Sequence, residues 1–119
     1  MIISQPATIG LARDFRESVA YSIGILGEQV ANMFYYHARE NYGVGPSQLP
    51  ADVEKFDQAL RSLLGSGALV IVRECAKRLS AVRGVTIEPF PDNLTSLYRT
   101  VSETYRPERW APPRELTAR

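Results

Sequence analysis

Three amphipathic segments in tandem, residues 28–41, 52–64 and 68–83, set the limits on what this chain can fold into. In each, apolar side chains recur at three- and four-residue intervals, so one face must be buried against a neighbour. The joints between them are breakers, Gly43-Val44-Gly45-Pro46 and Gly65-Ser66-Gly67. The pattern predicts an all-α fold: a compact bundle of four to five helices, with an irregular proline-containing C-terminal tail.

Ahead of the three lies a first helix whose stripe is Leu11, Phe15, Val19, Ile23 and Leu26, with Arg13, Asp14, Arg16 and Glu17 around it. Gly24 and Gly27 weaken helical propensity, so this helix ends or bends between them. Helix two carries Val30, Met33, Phe34, His37 and Ala38 inward and stops at Asn41-Tyr42-Gly43. Helix three turns Val53, Phe56, Leu60, Leu63 and Leu64 inward, with Asp57 and Arg61 spaced as an (i, i+4) pair on the outside.

Helix four is ambiguous at its start. Ala68-Leu69-Val70-Ile71-Val72 is an apolar, β-branched run that suits a buried strand as well as a helix. Helical spacing then continues without a breaker through Cys75, Ala76, Leu79 and Val82 to a capping glycine, Gly84, and Glu74 and Arg78 are spaced to pair. The segment is read as helix through residues 68–82. Residues 85–91 form a connector, since Pro89 and Pro91 exclude a central strand. Asp92 or Asn93 then caps a fifth helix with the stripe Leu94, Leu97, Tyr98, Val101 and Tyr105. Residues 1–105 are read as the bundle and 106–119 as an extended tail.

A chain of 119 residues buries enough apolar surface to need no staple. Fourteen basic against thirteen acidic side chains, a formal charge of +1, give no global drive toward nucleic acid or a membrane surface. The tail region has an excess of only two positive charges, so nucleic-acid binding is expected to be weak or absent. The single cysteine, Cys75, fits a reducing compartment, and no segment resembles a signal peptide or a membrane span. A cytoplasmic protein is expected.

Few residues carry chemistry. His37 is the sole histidine, on the stripe of helix two beside Tyr35 and Tyr36. It could act as a sensor or a haem ligand, but without a partner motif a core role is the better reading. Cys75 sits near Arg73, Lys77 and Arg78, where redox sensing is conceivable; burial as a small hydrophobe is more common. Gly65-Ser66-Gly67 opens a helix yet lacks the lysine and preceding strand of a phosphate loop. No catalytic residue, cofactor or metal is called for, and an enzyme is the least favoured class.

Two surfaces are candidates for interaction. Val70 and Ile71 lie outside the core stripe of helix four and point to a homodimer through helix four or five. Arg106, Arg109 and Trp110 in the tail suit an arm with one aromatic anchor. Phe34, Tyr35, Tyr36 and His37, with Phe56, are candidates for a sensor pocket.

The stretch from about residue 13 to residue 84 carries Glu17-Ser18, the Gly27-Glu28 helix start and Phe34-Tyr35-Tyr36-His37 ahead of Tyr42-Gly43. Leu49-Pro50, Phe56 with Ala59-Leu60, and Leu64-Gly65-Ser66-Gly67-Ala68 complete the set. On these positions the chain resembles the Nitrosopumilus output domain family, small archaeal helical modules found alone or appended to signalling and transcription-related proteins. The resemblance implies a regulatory or signalling output role and brings no catalytic residue. The expected function is a non-enzymatic regulatory module acting on an unidentified protein partner, as a homodimer. The alternatives are a small DNA-associated transcriptional regulator and a small-molecule sensor domain.

Overall fold

The computed structural model describes residues 10–104, and the candidate arm residues Arg106, Arg109 and Trp110 lie outside that range, as does Tyr105. Five α-helices follow one another: α1 (Leu11–Gly24), α2 (Glu28–Tyr42), α3 (Val53–Leu64), α4 (Gly67–Arg83) and α5 (Leu94–Thr104). A single 3-10 turn, Pro46–Gln48, precedes α3, and there is no strand among the described residues. The all-α reading holds, and so does helix four: α4 runs unbroken through the β-branched run.

Local chemistry sets the ends of the helices. Gly43 and Gly84 follow α2 and α4 with φ of 65° and 66°, a left-handed conformation that suits glycine, and their N–H groups bond back to carbonyls of the last turn. Past Gly84 the connector is tied down. Ser80 Oγ donates to the carbonyl of Val85, the Val85 N–H donates to the carbonyl of Ser80, and Ile87 is buried.

α1 packs antiparallel on α4. Asp14, early in α1, pairs with Arg83 at the end of α4 at 2.8 Å, while Tyr21, a later turn of α1, lies under Arg78, an earlier turn of α4. Small side chains, Ser18 and Ser22 on α1 and Cys75 and Ala76 on α4, are among the buried residues of these two helices. Ser22 Oγ returns its proton to the carbonyls of Ser18 and Val19. The core then continues through Phe15, Phe56, Leu60, Ile71, Leu79, Leu94 and Leu97. Phe34 stacks edge-on against Phe56, with ring centroids 5.5 Å apart, and Phe15 meets Tyr98 at 5.0 Å.

Three sequence expectations change at this level. Asp57 does not point outward to Arg61. Its side chain is buried, with the residue 5% exposed, and it caps α5 from a different helix. Asp57 Oδ1 accepts from the Leu94 N–H at 2.7 Å, and Oδ2 accepts from the Thr95 N–H at 2.8 Å and the Thr95 hydroxyl at 2.6 Å. With Asn93 Oδ1 accepting from the Ser96 N–H at 2.7 Å and the Asn93 carbonyl from Leu97, the first four donors of α5 are all satisfied.

The second change is the inward face of α2. Ala31, Phe34 and Ala38 are buried, whereas Val30 and Met33 are exposed. Phe34 is the α2 side chain that meets Phe56 of α3, and Val30 and Met33 stand to the side of it. The third is Ile71, read as surface and found 1% exposed; only Val70 of that pair is outside, because the 17-residue α4 buries Ala68, Ile71, Val72 and Cys75 along one side.

Candidate interaction surface

The flank that α2 leaves uncovered forms one wall of a groove. Val30, Met33, Phe34 and His37 from α2 face Leu63 and Leu64 from the last turn of α3 across a space of about 300 Å³. The spacing follows from the helix itself: residues 30, 33, 34 and 37 fall on adjacent rows of one side, and 63 and 64 close the opposite wall just before the Gly65 break. Met33 is 57% exposed and Val30 40%. Tyr36 extends the same flank, 54% exposed, with its ring edge-on to His37 at 5.2 Å. His37 supplies a polar group to an otherwise apolar lining.

Of the four expected sensor-pocket residues, the groove brings together Phe34 and His37. Tyr35 turns toward the core, packs edge-on against Phe34 at 5.7 Å, and has its hydroxyl pKa raised by burial. Tyr36 sits outside the lining, and Phe56, fully buried, cannot reach a ligand. Leu63 and Leu64, read from the sequence as core, are only part-buried and contribute the far wall.

The remaining reactive groups are spoken for. Cys75 is buried, and the loss of water pushes its thiol up to about 12 even though the nearby Arg78 charge pulls the other way. Burial and a raised pKa both disfavour the thiolate at neutral pH, which is the reactive form. Among the described residues no group of three or more His, Cys, Asp and Glu side chains is placed to hold a metal ion. None of the described helices is long and apolar enough to cross a membrane.

A shallow depression lined by Ile87, Glu88, Pro89 and Phe90 lies on the connector. It has no convergent polar groups beyond Glu88.

Comparison with protein-family models, with curated proteins and with solved structures finds no match.

Proposed function

We propose that this chain is a non-enzymatic regulatory or signalling output module, and that it acts by docking an apolar segment of a partner protein in the α2–α3 groove. The observation that carries the reading is the uncovered flank of α2. Val30, Met33 and Tyr36 recur every three residues along one helix with much of each side chain in water, beside a groove of about 300 Å³ with a mainly apolar lining. Helix-in-groove recognition uses such a site: an amphipathic partner helix places side chains at i, i+3 or i+4 into an apolar furrow. Burying one leucine-sized anchor contributes about 1.5–3 kcal/mol, while association costs at least about 4 kcal/mol, so two or more anchors are required. Weak, reversible binding suits an output module. The same role is what the resemblance to the Nitrosopumilus output domain family implies.

Met33→Glu tests the reading, because position 33 is exposed and the charge spoils the groove without touching the core. Affinity capture from the native host with the wild-type chain and the variant, matched for stability, should show a discrete protein retained by the first and lost by the second. Identical protein sets from both would remove the groove as the docking site. A small-molecule sensor is the second reading, favoured by His37 as a polar group within an apolar lining. On that reading Met33→Glu leaves protein partners in place and abolishes binding of a small apolar ligand.

A further inference from the structure

We propose that the strip shared by α1 and α4, separate from the groove, joins two copies of this chain, with Arg78 of each copy meeting Glu17 of the other. The starting point is a guanidinium without a carboxylate. Glu74, one turn before Arg78 and within helical reach of it, bonds to Lys77 instead at 3.2 Å. Arg78 lies over the ring of Tyr21, 4.8 Å from its centroid, and its Nε is buried with no hydrogen-bond acceptor. Nε is closed off, but the terminal nitrogens of the guanidinium are not among the buried unpaired atoms, and they are the donors a carboxylate arriving from outside would meet.

The surroundings of Arg78 say what brings that carboxylate. Because α1 and α4 run antiparallel, the strip has a simple order. Tyr21 and Arg78 are at its centre, Ile25 lies one turn along α1 in one direction, and Glu17 and Val82 lie one turn away in the other. Tyr21, Ile25 and Val82 are each about half exposed, and Glu17 is exposed. The strip thus holds one cation and one anion, each without an ion partner among the described residues, set among exposed apolar side chains.

Such a surface is complementary to itself. A two-fold axis lying in the strip midway between Glu17 and Arg78 exchanges their positions, so one symmetric contact satisfies both charges in both copies and covers the three apolar side chains. A formal charge of +1 per chain adds almost no repulsion between copies. The expected homodimer therefore uses α4, but through Arg78 and Val82 with α1, and not through Ile71, which is buried.

Charge reversal on the full chain tests this directly by sedimentation equilibrium in physiological salt. The wild type should dimerise at tens of micromolar, Glu17→Arg and Arg78→Glu should each weaken the dimer by about tenfold or more, and the double reversal should recover most of the loss. Ile25→Asp should weaken it as well. Circular dichroism checks folding, and because Arg78 packs on Tyr21, Glu17→Arg and Ile25→Asp carry the test if Arg78→Glu fails to fold. A wild type that stays monomeric at several hundred micromolar overturns the proposal. So does a dimer indifferent to Glu17→Arg and Ile25→Asp, or a double reversal no better than its singles. The docking groove is untouched by these variants, so partner capture that depends on Met33 is read independently.

Discussion

At the scale of single residues, Asp57 ties two helices together from a buried position. Its carboxylate bridges the middle of α3 and the start of α5, and it accepts three hydrogen bonds there. Asp57→Ala leaves the N–H groups of Leu94 and Thr95 without an acceptor in a buried setting. A loss of about 2–4 kcal/mol in urea unfolding is expected, with Asp57→Asn recovering part of it because one acceptor oxygen remains. A change under about 0.5 kcal/mol would show that the cap is not formed. Cys75 makes the complementary point about burial. Its folded pKa of about 12 lies above the ordinary value of 9.0, so the burial of the neutral thiol favours the native state below about pH 9, and that contribution is lost as pH rises toward 12. Ellman's reagent at pH 8 should leave the native thiol untouched and label it at once in denaturant. Fast labelling of the native protein would place Cys75 at the surface.

At the scale of helices, spacing made most of the architecture readable and burial direction only some of it. The 68–83 segment was legible because its apolar period continued past the β-branched run without a breaker, and α4 is intact there. Val72→Asp, at a position 1% exposed, should therefore abolish the cooperative melt, since a lone carboxylate in that core has no partner. A folded variant with near-wild-type stability would contradict the buried face of α4. The face of α2 was misread for a physical reason. Periodicity weighs large apolar residues, but the buried side of α2 is formed by small Ala31 and Ala38 around Phe34, and Val30 and Met33 stand outside it. Asp57 was out of reach of local reasoning because its partners stand 37 and 38 residues away, and an i, i+4 spacing to Arg61 supplied a plausible alternative. The groove was half visible: Phe34 and His37 were singled out, while Leu63 and Leu64 looked like ordinary core. Arg78 was misjudged in the same way, assigned to Glu74 by spacing when Tyr21 across the helix pair holds it.

For the whole molecule, the described bundle combines a closed core with two uncovered surfaces, the α2–α3 groove and the α1–α4 strip. Interaction modules commonly place their binding residues on a rigid helical scaffold, and surface apolar side chains outside the core are where such contacts are made. Docking through the groove is tested most directly by a photo-crosslinking amino acid placed at position 33 and, as a control, at exposed position 55 of α3, with irradiation in the native host. A discrete adduct of defined mass from position 33, absent from position 55, is the result expected if the groove docks a protein. Adducts that are the same at both positions, or none at position 33, would contradict it.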